Sequence, residues 1–264
     1  MKEILFTVIL PVHTLDGIYE DMLKNAVSSV EDFHNDVNLM IVYPNALDEK
    51  IKTIPLSDKL NILYTSHNLP VGDFCSQVNF GIEKCETTWF SILEIDDQYK
   101  PIWLKSMNEY LNTYKDVDVF LPIVKDINVE GNFISFTNES AWAYGFTERQ
   151  GFIDNEVLLE FQNYQISGGL YKTKTIKDNG SLKENIKLTF GYEFLLRLTH
   201  NGVKIMTVPH IGYEHLNLRE DSLFWSYKND EKNKLSQDEV KFWLDTAKKE
   251  FFFKNKRDVN YVKV

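Results

Sequence analysis

A doubly wound, mostly parallel α/β sheet is the fold that the first half of this 264-residue chain predicts. Two observations predict it. Runs rich in β-formers alternate with segments of helical spacing, which is the β-α-β pattern of parallel sheets. The runs are also nearly continuous in apolar residues, as strands covered on both faces must be.

The elements follow in order. Residues 4–10 (ILFTVIL) form the first apolar run, and Pro11 ends it. In DGIYEDMLKNAVSSVEDF, the apolar positions Ile18, Met22, Leu23, Ala26, Val27 and Val30 share one helical face. VNLMIVYP (37–44) is a second strand stopped by proline, and LNILYTS (60–66) a third. FCSQVNFGIEKC (74–85) reads as a helix, TWFSILEI (88–95) as a fourth strand, and PIWLKSMNEYLNTY (101–114) as a helix with proline in its first turn. DVDVFLPIV (116–124) is a fifth strand.

The second half is mixed. GNFISF (131–136) is a short strand and NEVLLEFQNY (155–164) a helix. ISGGLYKTKTI (166–176) and GVKIMTVP (202–209) read as strands around the helix LTFGYEFLLRLTHNG, which Asn201-Gly202 stops. The terminal LSQDEVKFWLDTAKKEFFF (235–253) is amphipathic, and Ser236 with Glu239 forms a capping box. No repeat or flexible linker divides the chain.

Composition narrows the function classes. Lys+Arg 29 against Asp+Glu 39 gives a net charge of −10, which argues against a broad phosphate-binding surface. Cys75 and Cys85 are isolated thiols that suit a reducing compartment. The N-terminal apolar run is too short for a signal peptide, and no stretch approaches the roughly 20 apolar residues of a spanning helix. A soluble, cytoplasmic protein is the expectation.

The fourth strand ends in Glu94-Ile95-Asp96-Asp97. Carboxylates gathered at one strand end suit hard divalent cations, which in turn bridge diphosphate oxygens. Taken alone, a solvated acidic loop is the commoner meaning of such a cluster. On a doubly wound sheet, however, ligands bind at the carboxyl ends of strands. His13-Thr14, Tyr43 and residues 94–97 all stand at such ends and are expected to converge.

Further motifs follow one another in order. VILPVHT closes the first strand; Asn79 and Gly81 lie in VNFGIEKC; TWFSILEIDD follows, then PIWL, ISGGLYK, GSLKE with Gly180 and Glu184, EFLLRLTHNG, and a strand ending in VP. In this order and spacing, from Phe6 to His215, the chain resembles the family 2 glycosyltransferases with the GT-A fold. The resemblance implies one domain over 1–264, with a nucleotide-sugar half (1–125), an acceptor half (126–220) and a C-terminal helical extension (221–264). It implies Mn²⁺ or Mg²⁺ and a nucleoside diphosphate sugar donor, UDP-linked by expectation. Asp96 would ligate the metal, with Glu94 on the donor ribose or the metal's water shell and His215 as a further ligand. A surface or hydrogen-bonded role for His215 is the alternative. Pro11, Val12 and His13 would wall the nucleobase, Tyr43 and Asn79 would join the donor site, and Asp97 would border the reacting sugar. Trp142, Gly168 and Gly169 are the candidate acceptor contacts. Trp142 lies in the aromatic loop NESAWAYGFTERQGF, whose rings either stack on a ligand or pack onto the sheet.

Two departures stand out. The second strand ends VYPNALDEK where the family has an Asp near the nucleotide base, so either Tyr43 or Asp48 would substitute for it or base recognition differs. The family's general base falls on Gly191, which takes no proton. Glu193, Asp154 or Glu156 would then serve, or a retaining enzyme would need no protein base. Glu193 has an alternative as an i,i+4 partner of Arg197. The acceptor stays open: a glycan, glycolipid, protein, or a hydroxymethylated DNA base as in phage enzymes. A nucleotidyltransferase would carry a Gly-rich, basic first loop, which LPVHTLDG lacks. A non-catalytic sugar-nucleotide binder is the third reading. Lysines around 224–234, with Lys248, Lys249, Lys254, Lys256 and Arg257, make either a locally basic end or a solvated face.

Overall fold

The computed structural model describes residues 6–70, 72–217, 219, 222–232 and 234–254. Ile4, Leu5, Lys256 and Arg257, which carry parts of the expectations above, lie outside them. Numbered in chain order, the strands β3 (Asn61–His67), β2 (Val37–Pro44), β1 (Phe6–Pro11), β4 (Trp89–Ile92), β9 (Leu170–Lys172), β6 (Val119–Ile127), β10 (Ile205–Leu216) and β5 (Gln98–Tyr99) lie side by side in that order in one sheet. Its first half is the predicted parallel unit. It comprises β1 (Phe6–Pro11), β2 (Val37–Pro44), β3 (Asn61–His67) and β4 (Trp89–Ile92). β1 lies between β2 and β4, and every pairing in this half is parallel.

The predicted burial pattern has its physical counterpart. All six residues of β1 are buried, because helices cover both faces. On one face lie α1 (Tyr19–Ser28), α2 (Asp48–Thr53) and α4 (Trp103–Thr113), which pack Leu23, Val27, Ile51, Trp103 and Met107 onto Val8, Leu10, Leu39 and Ile41. On the other lie α3 (Phe74–Lys84), α7 (Phe190–His200) and α9 (Gln237–Glu250), whose Val78, Ile82, Phe194, Leu195 and Ala247 meet Ile9, Val42, Phe90 and Ile92. Asp73 caps α3 by accepting from the Ser76 N–H at 2.8 Å, and after the short helix α8 (Leu223–Asn229) the predicted Ser236–Glu239 capping box opens α9.

The second half departs from its expected elements. The 166–176 segment is a three-residue strand, β9 (Leu170–Lys172), followed directly by α6 (Thr173–Asn179). β9 runs antiparallel between β4 and β6 (Val119–Ile127), and that pairing ends where the Thr173 N–H turns to the Thr88 carbonyl. The helix at 155–164 stops after α5 (Asn155–Glu160). The largest difference is β10, which runs past Pro209 as Ile205–Leu216. Proline cannot donate to a ladder. The strand absorbs it through register shifts between Val208 and Ile211 and again before Tyr213, then continues beside β6 to His215↔Asp126. β5 (Gln98–Tyr99) closes that edge, β7 (Phe133–Thr137) pairs with β6, and β8 (Phe152–Ile153) with β10. Among the described residues no helix is long and apolar enough to cross a membrane.

Gly81 marks how closely α3 sits on the sheet. A Cβ there would lie 2.6 Å from Ile9 Cγ2 and 3.2 Å from Val42 Cγ2. Alanine gains up to about 1 kcal/mol of helix propensity over glycine, whereas overpacking a core costs about 1–3 kcal/mol. Gly81→Ala is therefore expected to lower stability by about 1 kcal/mol, read as a reduced midpoint in urea unfolding; a raised midpoint would contradict the packing.

Candidate active site

β4 ends at Ile92, and the chain turns before β5. The Asp97 N–H closes the turn on the Glu94 carbonyl at 3.2 Å. Ile95 points inward and is buried, so the three acids are driven to the mouth of the sheet. The turn rests on aromatic supports. Tyr213 Oη accepts the Glu94 N–H at 3.0 Å, and Trp103 Nε1 donates to the Gly168 carbonyl at 2.7 Å.

β10 brings the counter-charges. His215 Nδ1 lies 3.0 Å from each oxygen of Asp97, and the Leu216 N–H donates to Asp97 Oδ1 at 2.9 Å. Ser167 Oγ donates to Glu94 Oε1 at 2.5 Å. Glu94, Asp97 and His215 each present a ligand atom within 4.8 Å of the others. Asp96 stands slightly apart. Its Oδ2 accepts from Arg219 Nε at 3.1 Å and lies 3.0 Å from Nη2. Arg219 also donates to Tyr19 Oη at 3.0 Å and covers the Tyr19 ring, which meets His13 edge-on at 4.9 Å. Arg219 thus ties the end of β1 to the acidic turn.

Crowding sets the charge states. Burial and the neighbouring Asp97 raise the Glu94 carboxyl to about 7, against the pull of His215 and the Ser167 hydrogen bond. Burial and Asp97 also raise Asp96, opposed by Arg219. Burial works against a charged His215 ring, but Asp97, with Glu94 and Asp96, outweighs it and carries the imidazole to about 10. Asp126, the strand neighbour of His215, is raised by burial and eased by a Ser135 hydrogen bond and by His215.

The other sequence candidates are placed as follows. Pro11 and Val12 are buried at the end of β1, and His13 is exposed beside them. Tyr43 is a core residue whose hydroxyl donates to Asp48 at 2.8 Å, so the two candidate base readers hold each other. Asn79 clamps the Leu182 backbone through both ends of its amide and reaches Glu184 at 3.1 Å. Trp142 donates to the Thr207 carbonyl at 3.2 Å and lies against Gly151, so it packs onto the sheet. Gly168 and Gly169 back onto the rings of Tyr213 and Tyr171, where a side chain would clash.

Glu193 stands in an ion-pair network rather than at the mouth. Gly191 is already helical within α7, so Glu193 turns away from it. Its fully buried carboxylate meets Arg197 Nε at 2.8 Å, Arg197 Nη2 at 3.0 Å and Lys183 Nζ at 2.8 Å. Arg197 also donates to the carbonyls of Asn179, Gly180 and Ser181, and Lys183 to that of Glu250. Asp154 caps α5, and Glu156 is exposed on it. The residues that sequence reasoning missed are Ser167, Tyr213, Arg219 and Tyr19. No motif marks them, because each acts across the fold.

No family model matches the sequence, and no curated protein matches it. Solved structures do match in fold. TarS from S. aureus (residues 1–349) with UDP-GlcNAc superposes with a TM-score of 0.58 at 16% identity, over 81% of this chain and 59% of that one. S. aureus TarS in a longer form gives 0.60 at 15% identity, over 92% of this chain and 49% of that one. The mannosyltransferase PcManGT from Pyrobaculum calidifontis, with GDP-Man and Mn2+, gives 0.59 at 9% identity, over 84% and 59%. The chain therefore spans between half and three fifths of the length of these neighbours, and its fold is theirs, as the sequence predicted.

Removing one partner of a buried ion pair costs about 3–5 kcal/mol. Arg197→Met is accordingly expected to destabilise the protein by that amount in chemical denaturation, since Lys183 alone would be left to neutralise Glu193. A change below 1 kcal/mol would show that the network is solvated.

Proposed function

We propose that the chain is a metal-dependent glycosyltransferase that moves a sugar from a nucleoside diphosphate sugar, UDP-linked in our reading, to an acceptor hydroxyl. The observation that carries this reading is the convergence of Glu94, Asp97 and His215 at the carboxyl edge of a doubly wound sheet. That edge is where such sheets bind ligands. The neighbours in fold that were solved with UDP-GlcNAc and with GDP-Man and Mn2+ support it.

The donor set fits the cation. Carboxylate oxygens are hard ligands, and imidazole nitrogen is well accepted by Mn²⁺. Glu94, Asp97 and His215 would hold it, and the Ser167 hydroxyl orients the Glu94 carboxylate. A cation so placed would neutralise charge developing on the departing diphosphate. The chain's own residues do the rest. Asp97 holds the His215 ring in place through Nδ1. Pro11, Val12 and His13 line the nucleoside side, with Arg219 between it and Asp96 of the acidic turn. Arg219 brings a planar guanidinium, suited to bidentate phosphate contact, to that boundary.

Two measurements test the reading. With UDP-GlcNAc or GDP-mannose, release of the nucleoside diphosphate should require Mn²⁺. Asp97→Ala and His215→Ala should each weaken Mn²⁺ binding about 10- to 100-fold by calorimetry; unchanged affinity in both would remove the metal site. The pH dependence has a definite sign. His215 is held protonated up to about 10 in the cation-free protein, so the incoming cation must expel its proton. Mn²⁺ affinity should therefore rise from pH 6 to 9, by about tenfold per unit from His215 and more steeply below about pH 7, where Glu94 also gives up its proton, and His215→Gln should reduce that slope by about one proton.

A further inference from the structure

We propose that Asp126 is the general base of the transfer, the group that takes the proton of the attacking hydroxyl; this rests on the glycosyltransferase reading above. Asp126 lies near the end of β6. It is in register with His215 of β10 on one side and with Ser135 of β7 on the other. Residues in register share a face of the sheet, and alternate residues of a strand return to it. Tyr213 and Val124, the pair two places earlier, both belong to the core cluster beneath the acidic turn. Ser135, Asp126 and His215 therefore form a polar row on the site's face, and Asp97 extends it from the far side of the imidazole.

Asp126 is a largely buried residue, and only one oxygen of its carboxylate is engaged. Oδ2 accepts from Ser135 Oγ at 2.7 Å, and among the described residues Oδ1 has no hydrogen-bond partner. Oδ1 is not a sealed, orphaned atom: it is open at the surface beside the cation ligands, where an incoming hydroxyl can donate to it. The topology says from where. β1, β2 and β3 lie on one side of β4, and β6 and β10 on the other. Asp126 therefore borders the acidic turn opposite the nucleotide half, where an acceptor would enter.

The other acids are committed. Glu193 is locked by Arg197 and Lys183, Asp96 is paired with Arg219, and Asp154 caps α5. Glu214 points away on β10, to Lys100 and Lys125.

In the step, the acceptor oxygen forms a bond to the anomeric carbon as the bond from that carbon to the diphosphate oxygen breaks. The electron pair leaves with the nucleoside diphosphate, and the hydroxyl proton passes to Asp126 Oδ1 and then to solvent. A single displacement of this kind inverts the anomeric centre.

Water serves as the probe acceptor, with UDP-GlcNAc or GDP-mannose as donor and Mn²⁺ present. Asp126→Asn, which keeps the shape and an oxygen for Ser135, should lower kcat for donor hydrolysis about 100- to 10,000-fold. Mn²⁺ affinity and donor KM should stay within about threefold, and Asp126→Glu should recover part of kcat. A folded Asp126→Asn with near wild-type kcat overturns the proposal. So does a loss of kcat that follows a matching loss of Mn²⁺ affinity, which would put Asp126 in the cation's shell. Wild-type protein that binds donor and Mn²⁺ yet releases no nucleoside diphosphate overturns the transfer reading and this role together. That outcome is distinguishable because failure of Asp126 alone leaves both proteins active.

Discussion

The contact between Asp97 and His215 is the constraint on which the rest of the site depends. Three carboxylates in one turn repel one another, and burial removes the water that would screen them. The turn is tenable because β10 delivers an imidazole to Asp97 and, a few residues later, a guanidinium to Asp96. Neither group could arrive if β10 ended at Pro209. The strand is carried forward by its register shifts, and they set His215 beside both Asp97 and Asp126. A local irregularity in one strand thus decides the electrostatics at the end of another.

The scaffold below is correspondingly stiff. Gly168 adopts φ +76° and its would-be Cβ lies 2.5 Å from Tyr213, so the segment carrying Ser167 approaches β10 as closely as backbone permits. Trp103, fully buried, binds the Gly168 carbonyl, and Tyr213 binds the Glu94 amide. These neutral hydrogen bonds hold the charged turn without adding charge of their own. The ion-pair network of Glu193, Arg197 and Lys183 is a separate device. It joins α7 to the 179–183 segment and to the last turn of α9, and so ties the C-terminal helix to the sheet.

Much of the fold was legible because periodicity is local. The parallel unit β1 to β4, its helices and the α9 capping box follow from apolar spacing, prolines and caps. Where the reading failed, tertiary pairing overrode it. ISGGLYKTKTI has strand composition, but only Leu170–Lys172 finds edges to pair with, between β4 and β6. Pro209 reads as a stop, yet a bulge accommodates it. The aromatic loop of Trp142 reads equally as a ligand surface or as packing, and a hydrogen bond to the Thr207 carbonyl ties Trp142 to the sheet.

What the sequence by itself determined is that acids end a buried strand on the ligand-binding edge of a doubly wound sheet, and that no acid stands at position 191. Those facts depend on local composition and on the order of elements. What only the tertiary structure decided is which acid faces which partner. Asp97 rather than Asp96 joins Glu94 and His215, Asp96 is held by Arg219, and Glu193 is withdrawn into the core. Side chains within one turn differ by a rotation about the backbone, and that rotation is set by contacts made more than a hundred residues away. Charge and spacing in the sequence do not carry that information; the register of β10 does.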